Sequence, residues 1–160
     1  MTTTQRIKHA DVEGVLAAAC PSLRKVDKAR ANREHITDDF EHTQTGVLVE
    51  SKRSATTVNQ VHPIKADVVI VSKSDDEHIV VTMAELFPLL SKQHAIHKWE
   101  CANTSSKKVC DHYGPWLSTE HLNDAVEYAV YRALEATEFK ARMTSARSKM
   151  LAFTEELDAI

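Results

Sequence analysis

A heptad pattern in the C-terminal quarter constrains the fold of this chain more than any other feature of its sequence. Apolar side chains recur every seventh residue, and again three positions later, at eleven of twelve positions between Leu122 and Ile160. This spacing predicts one helix over about residues 119–158, about 60 Å long if it is straight. Ser118 or Thr119 is expected to cap its first turn.

Additional apolar side chains widen this stripe in its first half only; they are Val126, Val130, Ala133 and Leu134. We therefore expect the first half to pack on the rest of the domain and the part beyond about Lys140 to project. A second copy of the chain is the expected partner of the projecting part, which gives a dimer or a higher oligomer. The alternative is a helix that breaks near Thr144–Ser145 and folds back on its own domain.

Residues 1–118 are expected to form an α/β core in a single domain with residues 119–160. Ile7–Cys20 has helical spacing and predicts an N-terminal helix. Residues 22–44 are polar and predict a short helix and a short strand around His35–Thr37. Four strands are predicted at 46–52, 56–61, 67–72 and 78–82, and the last two are expected to pair as a hairpin.

A further helix is predicted over residues 83–99, where Thr82 and Glu85 have the spacing of a capping box. Residues 102–117 read as a loop. The predicted fold class is thus α+β: an N-terminal helix, a small mixed sheet over about residues 35–82, helix 83–99 and the long C-terminal helix.

Composition excludes several classes of protein. No apolar run approaches the roughly 18 residues that a membrane span needs, and the first eight residues lack the apolar core of a signal peptide. The 3 cysteines do not make a disulfide framework, so we expect a reducing, cytoplasmic environment and no membrane. The 3 glycines are far apart, which argues against a glycine-rich phosphate loop.

One predicted strand ends in an arrangement that suits metal-dependent hydrolysis. Glu50 and Lys52 are two residues apart, so in a strand both side chains point to the same face. The carboxylate can hold Mg²⁺ or Mn²⁺, and the ammonium can orient a water molecule. A second acid is needed, and a hairpin through residues 41–46 is expected to bring Asp39, or its neighbour Asp38, beside Glu50.

These residues and their order resemble the PD-(D/E)xK nuclease superfamily, which includes many restriction enzymes, homing endonucleases and Holliday-junction resolvases. The resemblance covers roughly residues 10–90 and implies a catalytic trio of Asp39, Glu50 and Lys52. It also implies that Glu13 is the extra acid that some members add, and that Gln60 is the supporting glutamine of others. The chain departs from the pattern because Thr37, rather than proline, precedes the two aspartates.

Basic residues are concentrated near the N-terminus. The net charge is −3, but residues 1–33 carry seven Lys and Arg against three Asp and Glu. A surface that contacts phosphates is one interpretation of this excess, and a solvated helix face is the other. The candidate DNA-binding residues are Arg24, Lys25, Lys28, Arg30, Arg33 and Arg53.

A group of histidines and cysteines predicts a second metal site. His94, His97 and Cys101 follow helical spacing, and Cys110 and His112 come after them. Two imidazoles and two thiolates suit tetrahedral zinc, and a structural zinc on His94, His97, Cys101 and Cys110 would fix the loop between them. The alternative is ordinary surface histidines and small buried cysteines.

Two functional hypotheses follow. The first is a dimeric metal-dependent endonuclease that hydrolyses the phosphodiester bonds of DNA. The second is a non-enzymatic, oligomeric interaction protein of a viral or mobile-element type, which binds a host protein through its long helix. The sequence alone does not separate DNA from RNA as the substrate.

Overall fold

A computed structural model of the protein describes residues 9–54, 56–92 and 102–158. The helices of the described part are α1 (His9–Ala19), α2 (Lys28–Glu34), α3 (Met83–Leu86), α4 (Ser106–Tyr113), α5 (Leu122–Glu135) and α6 (Thr137–Asp158). The strands are β1 (Leu23–Lys25), β2 (Phe40–His42), β3 (Leu48–Arg53), β4 (Thr57–Val61), β5 (Val68–Ser74), β6 (Glu77–Thr82), β7 (Ser91–Lys92) and β8 (Ala102–Ser105). The predicted α+β class is confirmed.

The main sheet is mixed and has the strand order β1-β2-β3-β5-β6. β3 and β5 run parallel, whereas the other neighbours are antiparallel. Parallel neighbours need a crossover connection. Here that connection contains β4, which belongs to a separate small sheet of order β4-β8-β7, and the segment 62–67 that returns to β5. The strand that carries Glu50 and Lys52 is therefore the central strand of the main sheet.

Both faces of the main sheet are covered. Val68 and Ile70 of β5 pack with α1 and α5 on one face, in a cluster that includes Leu16 and Val126. The alternate residues of β5, such as Val69, pack on the other face with residues of β4, α3 and α4. Burial on both faces explains why four β-branched residues follow one another in β5.

The expected β5–β6 hairpin is present, with Val69 opposite Val81. The capping box is also confirmed. The Thr82 hydroxyl accepts a hydrogen bond from the backbone N–H of Glu85, and the Glu85 carboxylate accepts one from the backbone N–H of Thr82. The helix that follows is much shorter than the predicted 83–99. α3 ends at Leu86, a 3-10 turn with Pro88 follows, and the chain continues into β7, while residues 93–101 lie outside the described part.

Two further elements differ from the sequence prediction. His35–Thr37 is not a strand: His35 has a φ of 56° and ends α2 in the left-handed conformation, and the strand lies instead at Phe40–His42. The polar sequence of this region gives no period-two pattern by which to place the strand. Residues 102–117, predicted as a loop, contain β8 and α4.

The predicted C-terminal helix is divided in two at Ala136, whose φ of −80° and ψ of 59° are not helical. α6 then returns to its own domain. Met143 is 3% exposed, and the Arg147 Nε donates to the backbone oxygen of Ile64 at 2.6 Å. The predicted projection beyond Lys140 is therefore wrong for this part of α6. Folding back was the correct alternative, but the break lies earlier than Thr144–Ser145.

Candidate active site

The β2–β3 hairpin brings the predicted acids together. Phe40 of β2 pairs with Val49 of β3 in an antiparallel arrangement. Asp39, the residue before Phe40, therefore lies beside Glu50, the residue after Val49. The backbone N–H of Ser51 donates to Asp39 Oδ2 at 2.8 Å and fixes the carboxylate there. Asp39 is buried and its neighbour Asp38 is exposed, so the Asp39 side chain is the one at this site.

Lys52 points to the same side of the strand as Glu50, as period-two alternation requires. Its Nζ lies 3.6 Å from Glu50 Oε1 and donates to the backbone oxygen of Gln60 at 2.9 Å. These two contacts hold the ammonium group in a defined position beside the carboxylate. The structure thus brings Asp39, Glu50 and Lys52 together, while their catalytic roles remain predictions.

Glu13 of α1 joins this cluster, as the resemblance implies. Its carboxyl group shares a hydrogen bond with that of Asp39. Lys25 connects the same two acids, with its Nζ 3.2 Å from Glu13 Oε2 and 3.8 Å from Asp39 Oδ1. Lys25 was predicted as a phosphate contact, and it lies at the edge of the candidate site.

The electrostatics of the cluster favour a bound cation. Burial raises the pKa of Glu50 to about 7, with Asp39 adding to the shift and Lys52 opposing it. Burial also raises the pKa of Asp39 to about 6. The hydrogen bond from Ser51 opposes this increase in pKa, and Glu13 adds to it. Positive charge near these carboxyls would return both groups to their ionised form.

A divalent metal fits the residues present. Glu50 Oε2 is buried and has no hydrogen-bond partner among the described residues. Within the same part of the chain, no three His, Cys, Asp or Glu side chains are grouped closely enough to hold a metal by themselves. Mg²⁺ commonly uses one or two carboxylates together with water and substrate phosphate. Asp39 and Glu50 are the residues that would hold it.

Gln60 does not occupy the position expected of a supporting side chain. β4 lies outside the main sheet, and the Gln60 side chain is exposed. Gln60 acts through its backbone instead: its oxygen accepts from Lys52, and its N–H donates to Asn103 Oδ1 at 3.0 Å. Its φ of 54° at an irregularity in β4 turns the oxygen toward Lys52.

Several candidate DNA-binding residues form ion pairs within the domain. Arg30 makes a two-pronged contact with Glu41, at 3.0 and 2.9 Å, and a third bond with Glu34 at 2.8 Å. Arg24 also lies 3.4 Å from Glu41, and Arg33 lies 3.9 Å from Glu34. Lys28 is exposed and Arg53 is half-buried. Contact of these six residues with DNA remains a prediction.

Sequence reasoning missed two basic residues of the crossover segment. His62 Nδ1 is buried without a hydrogen-bond partner within the described residues. Burial lowers the pKa of His62 to about 4, and the charges of Lys65, Lys52 and His35 lower it further. Lys65 also acts on Glu50, where its charge lowers the pKa. In the sequence, these two residues only follow the strand predicted at 56–61, and no motif singles them out.

The predicted zinc site cannot be placed as a whole, because His94, His97 and Cys101 lie outside the described residues. Cys110 is a half-buried free cysteine of α4. His112 is exposed, and its Nδ1 donates to the backbone oxygen of Lys108 at 2.9 Å. The structural zinc remains a prediction.

Comparison of the sequence with models of known protein families gives no match, and comparison with curated proteins gives none either. In the part of the chain that the structure describes, no helix is long and apolar enough to cross a lipid bilayer.

Proposed function

We propose that this protein is a metal-dependent endonuclease that hydrolyses phosphodiester bonds of DNA, as the resemblance to PD-(D/E)xK nucleases implies. One observation carries the proposal: Asp39, Glu50 and Lys52 lie together on and beside the central strand, and Glu50 has a buried oxygen that finds no hydrogen-bond partner among the described residues. A reducing cytoplasm is the proposed location, as the 3 cysteines suggest.

Each residue of the site has a defined role in the proposed reaction. Asp39 and Glu50 would hold Mg²⁺ or Mn²⁺, and the ion would supply a Lewis acid that offsets the charge developing on the scissile phosphate. Lys52, held by Glu50 and the Gln60 oxygen, orients the attacking water. As the oxygen of that water bonds to phosphorus, the water releases a proton to solvent, the bond to the leaving oxygen breaks, and the leaving oxygen takes up a proton from solvent. Glu13 positions Asp39 through their shared hydrogen bond.

Cleavage of plasmid, linear duplex and single-stranded DNA, and of RNA, with Mg²⁺ or Mn²⁺ tests the proposal. We expect wild type to cut DNA, and Lys52→Ala and Asp39→Asn to lose about 10²-fold or more of the rate, as removal of an electrostatic contact in a transition state does. Lys149→Ala, at an exposed position of α6, is the matched control and should cut like wild type. Cleavage that persists in both site variants would show that the activity belongs elsewhere.

A second candidate function, the oligomeric interaction protein, is favoured by the outer face of α5. Tyr128, Tyr131 and Leu134 are 62%, 61% and 50% exposed, and their spacing places them on one side of the helix. We propose a second copy of the chain as the occupant, because a groove of about 430 Å³ beside Leu134 can receive a tyrosine of the partner in a self-complementary contact.

The oligomeric state in solution tests this surface. Light scattering after gel filtration should give a dimer for wild type and a monomer for Tyr131→Glu, while Glu138→Gln should remain dimeric. If the wild-type protein is a monomer in solution, the proposed dimer is wrong. A dimer that Tyr131→Glu leaves intact would place the interface elsewhere.

A further inference from the structure

The small sheet β4-β8-β7 is attached to the chain directly after the strand that carries Lys52. The hydroxyl groups of Ser54 and Ser106 share a buried hydrogen bond of 3.1 Å, which joins the residue after β3 to the start of α4. The backbone N–H of Ser106 donates to the oxygen of Thr56 at 2.9 Å, just before β4 begins. These two bonds give the small sheet a defined position relative to Lys52.

The strand β4 of this sheet contains a β-bulge at Gln60. Two residues of β4 lie opposite Asn103 of β8, and the flanking pairs are Val58–Thr104 and Val61–Ala102. Gln60 takes the left-handed conformation there, with a φ of 54°. This conformation is unfavourable for a residue with a side chain and persists only when the surrounding contacts hold it. Bulges are frequent next to active sites, where they re-aim groups that a regular strand would direct elsewhere.

Two hydrogen bonds connect Asn103 to Lys52 through the backbone of Gln60. The N–H of Gln60 donates to Asn103 Oδ1 at 3.0 Å, and the Lys52 Nζ donates to the oxygen of Gln60 at 2.9 Å. Asn103 lies on the central strand of the small sheet, where β7 pairs on its other side. The Asn103 side chain thus satisfies a backbone N–H that the bulge removes from the regular ladder. The direction of the Gln60 oxygen, and with it the position of the Lys52 ammonium group, depends on this contact.

We propose that Asn103 is a positioning residue of the nuclease, which holds the Lys52 ammonium group in place through the backbone of Gln60. The inference rests on the proposed function, in which Lys52 orients the attacking water. Asn103 acts through Gln60 rather than on the reacting atoms. It keeps the Gln60 oxygen aimed at Lys52, so that the ammonium group lies between two partners, this oxygen and the carboxylate of Glu50.

Rates of plasmid cleavage with Mg²⁺, measured over a range of DNA concentrations, test the positioning role. We expect Asn103→Ala to lower kcat about tenfold and to leave KM within about twofold of wild type, because a displaced catalytic group loses part of its contribution to the rate. Asn103→Asp keeps an acceptor oxygen for the Gln60 N–H and should recover most of kcat. Asn103→Leu keeps the size of the side chain without an acceptor, so it should lose as much as Asn103→Ala.

Thr104→Val is the matched control in the same strand. The Thr104 hydroxyl is buried and has no hydrogen-bond partner among the described residues. The substitution therefore alters the small sheet without removing the contact between Asn103 and Gln60, and the variant should cut like wild type. A loss of kcat equal to that of Asn103→Ala would show that the rate follows the small sheet in general, and would overturn the role of Asn103.

A double variant separates positioning from a general effect on the fold. Residues that act as one unit in catalysis have strongly non-additive effects on the rate. If Asn103 acts through Lys52, Asn103→Ala should lower the residual rate of Lys52→Ala by no more than about twofold. A second tenfold loss in that background would contradict the inference.

The Lys52 side chain also gives a readout that needs no cleavage reaction. The two Hε protons of a lysine have separate NMR signals when the side chain is held in one conformation, and nearly equal ones when it rotates freely. We expect separate signals in wild type and in Asn103→Asp, and merged signals in Asn103→Ala, with Lys52→Ala used for assignment. Signals that stay separate in Asn103→Ala would mean that Asn103 does not hold Lys52.

Failure of this inference and failure of the nuclease give different results. If wild type cuts DNA and Asn103→Ala cuts within about twofold of it, the positioning role is wrong and the nuclease stands. If the Lys52 signals depend on Asn103 but neither Mg²⁺ nor Mn²⁺ supports cleavage, the control of Lys52 by Asn103 stands and its use in cleavage fails.

Discussion

Replacing Glu50 by glutamine should make the folded protein more stable at alkaline pH. Glu50 is 6% exposed, and its pKa is about 7 in the folded protein against an ordinary value of 4.5. The folded state therefore holds the proton more tightly than the unfolded chain does. The stability of wild type consequently falls as the pH rises from about 4.5 to about 7, and levels off above that range.

The size of the effect follows from the same two pKa values. At pH 8 ionisation of Glu50 makes wild type about 3 kcal/mol less stable than a protein with a neutral group there. The difference falls below about 1 kcal/mol at pH 5 and is close to zero at pH 4. Glu50→Gln should thus gain about 3 kcal/mol at pH 8, a rise in Tm of roughly 6–12 °C for a chain of this size.

Urea unfolding followed by circular dichroism at pH 4, 5 and 8, without divalent metal, measures this gain. Glu120→Gln, which removes a carboxylate that is 79% exposed, is the control and should change stability little at any pH. A Glu50→Gln protein that is no more stable than wild type at pH 8 would refute the reasoning. It would mean that Lys52 and Lys65 already compensate the Glu50 charge, and the case for a cation there would weaken.

Four further predictions concern the metal and the parts of the fold that support the site. Mg²⁺ at millimolar concentration should raise the Tm of wild type at pH 8 but not that of Glu50→Gln, because one ligand is lost; equal shifts would place the ion elsewhere. Met143→Ala should lower the free energy of unfolding by about 2–5 kcal/mol if α6 packs on its own domain, and a loss below about 1 kcal/mol in urea would contradict that packing. Gly46→Ala should cost about 1–2 kcal/mol in the same assay, because Gly46 has a φ of 76° although open space surrounds the added methyl; no change would show that the turn adapts. Thr82→Ala should cost about 1 kcal/mol through loss of the capping box, whereas Thr82→Ser should recover most of it in thermal unfolding.

The positions of Asp39, Glu50 and Lys52 could be predicted because they depend on local geometry. Strand alternation places Glu50 and Lys52 on one face whatever the rest of the chain does. The short connection between β2 and β3 leaves an antiparallel hairpin as the simplest arrangement, and that hairpin brings Asp39 to Glu50. Local sequence also placed α1, through the helical spacing of its apolar residues, and the β5–β6 hairpin, through two β-branched runs separated by a polar turn.

The positions of His62 and Lys65 near this cluster could not be predicted, because they depend on a long-range connection. β3 and β5 are parallel neighbours, and nothing in the sequence of β4 indicates that it leaves their sheet and returns through His62–Lys65. The break at Ala136 was hidden for a related reason. The heptad pattern continues across it, because Leu122 and Ala129 of α5 and Met143 of α6 belong to the same seven-residue series and are all buried.

The return of α6 to the crossover segment also makes the position of that segment depend on a distant part of the chain. Lys140 bonds to Asp67 and Arg147 to Ile64 across sequence separations of 73 and 83 residues. Contacts between residues so far apart in sequence are expected to form late in folding, because the entropy cost of closing a loop grows with its length. The segment 62–67 should therefore reach its final position after the β2–β3 hairpin, whose paired residues are close in sequence.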